Sequence, residues 1–136
     1  MAIMLKIRWD IKKGREQVFR ENQKKLCAVM SGDHPGVICY HVDYPASGVS
    51  EWTEIYANNS VFKAHLDNQK GKEPLATLIG ACDKITCKCW GDADAESKKI
   101  LAGFGATYHE TAEASFLLHP KADAVGKRSR TGGDHA

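Results

Sequence analysis

The sequence predicts an α+β domain built around one antiparallel sheet, and three observations predict it. Four stretches of apolar residues carry strand character, at residues 3–11, 37–44, 51–57 and 83–90. Between them, apolar residues recur at three- and four-residue spacing, the mark of amphipathic helices. Clusters of Gly, Pro, Asn and Ser separate the two kinds of segment.

Taken in order, Ile3, Leu5, Ile7 and Trp9 share one face of the first strand, with Lys6, Arg8 and Asp10 on the other. Gly14 ends it. Val18, Phe19, Asn22, Leu26, Val29 and Met30 then place a helix over about 15–31, stopped by Gly32 and the Asp33-His34-Pro35-Gly36 turn. Strand two covers 37–44 and strand three 51–57, joined by Pro45-Ala46-Ser47-Gly48, so the pair reads as a hairpin. Asn58, Asn59 or Ser60 caps a short helix to about Asp67. A polar loop is expected at 68–72, then a further short helix with Pro74 in its first turn and Leu75, Leu78 and Ile79 on its apolar side. Strand four turns Ile85, Cys87 and Cys89 one way and Lys84, Thr86, Lys88 and Trp90 the other. The order β-α-β-β-α-β is the split βαβ arrangement of ferredoxin-like domains. A helix at about 94–102 and a strand at 107–118 extend it, so residues 1–92 form the domain, 93–120 its extension and 121–136 a flexible tail.

Composition bounds the function. A chain of 136 residues with 43% hydrophobic and 26% charged residues is a single globular domain with a sizeable core. The net charge is +2 and falls within residues 121–136, where four Lys/Arg face two Asp. A neutral body of this kind offers no footprint for nucleic acid. No apolar run reaches the length of a membrane span, and Met1-Ala2-Ile3-Met4-Leu5-Lys6 does not read as a signal peptide. Five cysteines (27, 39, 82, 87 and 89) match no disulfide framework, which predicts free thiols and a cytoplasmic location. Cys87-Lys88-Cys89 lacks zinc spacing, and His109-Glu110-Thr111-Ala112-Glu113 lacks the second histidine of a zinc helix, so no metal is expected. Gly103-Phe104-Gly105 is no dinucleotide fingerprint.

The segment from Glu54 to Leu66 resembles the core signature of the antibiotic-biosynthesis-monooxygenase family of dimeric α+β barrels. The matching positions are Glu54-Ile55-Tyr56 at a strand end and Phe62-Lys63-Ala64-His65-Leu66 in the following helix. Lys13-Gly14 and His34-Pro35-Gly36-Val37 agree with the family's turns, and the resemblance spans roughly residues 3–91. It implies a homodimer with sheets packed face to face and a pocket between each sheet and its helices. A sheet covered on one face would leave an apolar second face, an independent reason to expect that dimer. The haem-degrading relatives of the fold carry an asparagine where Ile7 stands, a tryptophan where His65 stands and then a histidine; residues 67–82 contain none.

On this resemblance the chain is a cofactor-independent oxygenase of small phenolic or quinol-type aromatics. An isomerase and a non-catalytic small-ligand-binding dimer are the alternatives on the same fold. His65, on the apolar face beside Val61 and Phe62, is the candidate general base, or else a packed histidine that orients the helix. Glu54 lies between Trp52 and Tyr56 on one strand face, where it orients His65 or pairs with Lys84 or Lys88. Asn22 or Tyr56 would bind a substrate oxygen, Trp9 and Trp52 would stack on a planar ring, and His41 would line the same cavity. The alternative readings are Asn22 at the margin of its helix stripe and both tryptophans as plain core.

Overall fold

The computed structural model describes residues 2–33, 35–43 and 47–109. Strand β1 (Ile3–Ile11) leads into helix α1 (Glu16–Asp33), then β2 (Val37–Val42), β3 (Val49–Tyr56), α2 (Asn59–Asp67), α3 (Gln69–Gly80), β4 (Cys82–Gly91), α4 (Ala95–Ala102) and β5 (Thr107–His109). The sheet order is β2-β3-β1-β4-β5. The first three pairings are antiparallel, and β5 adds in parallel at the edge of β4. The split βαβ order is therefore realised, with the C-terminal extension lengthening the sheet by one short strand. Residues 110–118 of the expected last strand, and the expected tail, lie outside the described residues.

Strand alternation builds the core. Ile3, Leu5, Ile7, Trp9 and Ile11 of β1, Trp52 and Tyr56 of β3, and Cys87 and Cys89 of β4 are all buried on one face. Phe19 and Leu26 of α1, Phe62 of α2, Leu78 of α3 and Leu101 of α4 cover them. The periodicity of each helix thus decides which side it presents to the sheet. No helix among the described residues is long and apolar enough to cross a membrane.

Gly36 performs the turn into β2 with φ of +94°, and a Cβ there would meet Val61 Cγ2 at 2.7 Å. The chain enters β2 directly beneath α2, with Gly36 O accepting from Ala57 N at 2.9 Å.

Two expectations need correction. Most of the polar stretch 68–72 is helical: α3 begins at Gln69, so Pro74 lies inside that helix rather than in its first turn. Asn68 ends α2 and caps α3, its side chain accepting from Lys70 N at 3.0 Å. Gly71 is buried against Leu26 of α1, and that tertiary contact outweighs the polarity of the stretch. The open sheet face is also mixed, not apolar. Lys6, Arg8, Glu51 and Lys88 are exposed there among half-buried Met4, Thr53 and Thr86. All of these but Met4 border a shallow groove of about 380 Å³.

Candidate acid–base site

The site grows out of the β3–α2 junction. Asn58 Oδ1 accepts from Val61 N at 3.0 Å and starts α2 at the end of β3. That places His65 two helical turns on, facing the strand, and His65 and Phe62 are the buried residues of α2. Glu54 and Tyr56 project from β3 on the same face, because residues two apart in a strand share a side.

These groups converge. Glu54 is 3% exposed and His65 7% exposed. Glu54 Oε1 stands 3.7 Å from His65 Nε2, beyond direct hydrogen bonding but close enough for strong charge coupling. The Tyr56 hydroxyl donates a short hydrogen bond to Glu54 Oε1, and the Tyr56 ring stacks on His65 with centroids 5.5 Å apart. The Tyr40 ring meets His65 edge-on at 5.6 Å. Burial pushes the Glu54 carboxyl up to about 7, although the hydrogen bond from Tyr56 acts in the opposite sense. Burial and the neighbouring Glu54 hold both tyrosines well above the ordinary phenol range, so they remain O–H donors. Cys87, also at the site, has its thiol pushed up to about 12 by burial and is no nucleophile.

Glu54 and His65 border a cavity of about 30 Å³, the room one water occupies. Trp9, Trp52 and Tyr40 line it from the sheet; Leu66, Leu75, Leu101 and Phe104 close it from the helical side. The last two belong to the C-terminal extension. Asn59 fastens that extension: its Nδ2 donates to Asp92 O at 2.8 Å, and its Oδ1 accepts from Asp94 N at 2.9 Å and Ser97 Oγ at 2.8 Å. Lys63 adds ion pairs to Asp94 and Glu96.

Of the residues expected at the site, Glu54, His65, Trp9 and Trp52 border the cavity, while Tyr56 stands behind Glu54. His41 does not line it. Its side chain is 66% exposed and its Nε2 sits 2.7 Å from Asp43 Oδ1. The register of β2 shifts between Val37 and Cys39, which turns Tyr40 inward and His41 outward. Asn22 is likewise displaced, its Nδ2 donating at 2.8 Å to Val18 O in its own helix. The next residue, Gln23, is the buried amide of α1. It donates to Asp43 O and accepts from Trp52 Nε1 at 3.2 Å and Ser50 Oγ at 3.1 Å. Among the described residues no lysine pairs with Glu54, and Lys84 and Lys88 are exposed on the far face of the sheet. Tyr40 and Gln23 escape sequence reading because a bulge and a helix rotation decide them. Among the described residues no group of three His, Cys, Asp or Glu could hold a metal ion.

No family model and no curated protein matches this sequence. Solved structures do. A provisionally named antibiotic biosynthesis monooxygenase of Caulobacter crescentus superposes with a TM-score of 0.60 at 17% identity, covering 68% of this chain and 91% of that one. A protein of the same provisional name from Nitrosomonas europaea gives 0.59 at 12% identity, over 67% and 89% of the two chains. This is the antibiotic-biosynthesis-monooxygenase fold. MupZ from Pseudomonas fluorescens shares that fold over a longer span, with a TM-score of 0.63 at 13% identity covering 89% of this chain and 98% of its own. Identities this low mean that what these chains share is the fold.

Proposed function

We propose that this chain is a homodimeric, cofactor-independent monooxygenase of small phenolic or quinol-type aromatics. The observation that carries the reading is the convergence of Glu54 and His65, 3.7 Å apart, on one buried, mostly apolar cavity. A carboxyl that titrates near neutrality beside an imidazole is suited to taking a proton from a phenol.

In this mechanism the substrate O–H breaks and its proton passes to the Glu54–His65 pair. The electron-rich anion then gives one electron to dioxygen. The resulting radical and superoxide combine into a C–O bond, and the peroxide takes back the proton. Loss of water, with the ring C–H proton, leaves a quinone carbonyl, so one substrate and one dioxygen give one product and one water. Trp9 and Trp52 supply flat walls for the ring. Tyr56 tunes Glu54 through its hydrogen bond.

An oxygen electrode with naphthoquinols and anthrones tests the reading. The expected result is oxygen uptake that falls by about 100-fold or more in His65→Ala. Turnover without oxygen uptake would identify an isomerase instead. Ligand-dependent thermal stabilisation without turnover would identify a binding protein.

A further inference from the structure

We propose that Tyr40 is the oxyanion donor of this site, its hydroxyl hydrogen-bonding the ligand oxygen whose proton passes to Glu54 and His65. The inference deepens the proposed function and rests on its acid–base pair.

The first support is a contrast among buried polar groups. Trp52 Nε1 donates to both Gln23 and Ser50, and the Tyr56 hydroxyl donates to Glu54. The Tyr40 hydroxyl is buried with no hydrogen-bond partner among the described residues. Buried hydroxyls are rarely left so, and one that is calls for an explanation.

The second support is position. Tyr40 is the cross-strand partner of Glu54 in the β2–β3 ladder, and its ring meets the His65 ring at 5.6 Å. All three residues line the same cavity. When the ligand O–H bond breaks, the proton goes to the carboxylate and the electron pair stays on the ligand oxygen. The remaining walls are mostly apolar, so that charge needs a fixed donor to form at all. Tyr40 offers one at the corner where the charge appears. Trp9 Nε1 is also buried without a partner among the described residues. Trp9, however, sits opposite Ser50 in the β1–β3 register, four residues along β3 from Glu54, whereas Tyr40 sits opposite Glu54 itself.

The test uses two probes of one shape. 4-Nitrophenol changes colour on ionisation, and 4-nitroanisole has no proton to lose. In the full-length protein, bound 4-nitrophenol is expected to be largely phenolate. Tyr40→Phe should lower the bound phenolate-to-phenol ratio about tenfold and leave the affinity for 4-nitroanisole within about twofold. An unchanged ratio overturns the proposal. So does an equal loss of affinity for both probes, which would mean that Tyr40 only packs, and so does a wild-type protein that binds neither. The readout needs no turnover. A Tyr40-dependent phenolate signal without oxygen uptake retires the oxygenase and keeps the oxyanion donor. His65-dependent oxygen uptake that ignores Tyr40→Phe does the reverse.

Discussion

Glu54 occupies a position where an ionised carboxylate is costly, and the chain keeps it there under the shelter of Tyr56. Its carboxyl titrates at about 7 in the folded protein against an ordinary value of 4.5, chiefly because burial penalises the charged form. The folded state therefore holds a proton that the unfolded chain releases. Stability is complete below about pH 4.5, declines as pH rises through about 7, and is level above that. The decline is on the order of 3 kcal/mol. Glu54→Gln keeps an acceptor for the Tyr56 hydroxyl but carries no charge. It should unfold at higher urea than the wild type at about pH 8, and match it at about pH 4, below both titrations. Equal unfolding midpoints of the two proteins at both pH values would show that Glu54 is not desolvated. The same substitution should abolish proton abstraction, so a gain in stability accompanies the loss of activity.

At the scale of elements, the decisive joint is between α2 and the extension. Asn59 alone bridges the backbone of Asp92 and Asp94 and the hydroxyl of buried Ser97. Asp94 in turn caps α4 through Ser97 N at 2.8 Å, and its carboxyl is held down near 2 by that bond and by Lys63. Asn59→Ala should cost about 1–3 kcal/mol and raise amide exchange in Ala95–Ala102 well before it does so in β1. Uniform exchange across the chain would show that α4 is held by packing alone. Helix α4 matters to the site because Leu101 and the following Phe104 close the cavity.

The elements were legible to different degrees. Strands β1 and β4 read cleanly from alternation because each has one buried and one solvated face. The start of α3 did not, because Gln69, Lys70 and Lys72 are polar in any conformation and buried Gly71, which packs against Leu26 of α1, has no side chain to signal it. Glu54 and His65 were singled out by the family resemblance of the Glu54–Leu66 segment and by being a carboxylate and an imidazole on otherwise apolar faces. Tyr40 was missed, and His41 taken in its place, because one register shift in β2 reverses which residues point inward.

On the scale of the whole molecule, the cavity is smaller than the substrate proposed for it. A space of about 30 Å³ admits a water or a dioxygen but no aromatic ring. Entry requires the half-buried residues Leu66, Leu75 and Phe104 to yield, since the strands behind them are locked into the sheet. Phe104→Ala should therefore speed association of an anthrone by about tenfold, read as quenching of tryptophan fluorescence in a stopped flow. An unchanged rate would place the entrance elsewhere. The open sheet face bears on assembly. Lys6 and Lys88 lie directly opposite each other in the β1–β4 register, and Glu51 is exposed on the same face. Like charges so placed repel, and a second copy related by a two-fold axis can bring acidic groups to them. Sedimentation should find a dimer that weakens at high salt. A monomer at all salt concentrations would remove the second subunit from the proposal.

The sequence by itself determined the order of strands and helices, the faces that become core, and the placing of Glu54 and His65 on the apolar faces of their elements. All of these follow from periodicities of two and three to four residues, which are local. Tertiary structure decided the rest: which of two neighbours in β2 faces the cavity, which amide of α1 is buried, and that the extension closes the site. Each depends on register or docking between segments distant in the chain, and a one-residue shift, invisible to local pattern, exchanges inside for outside.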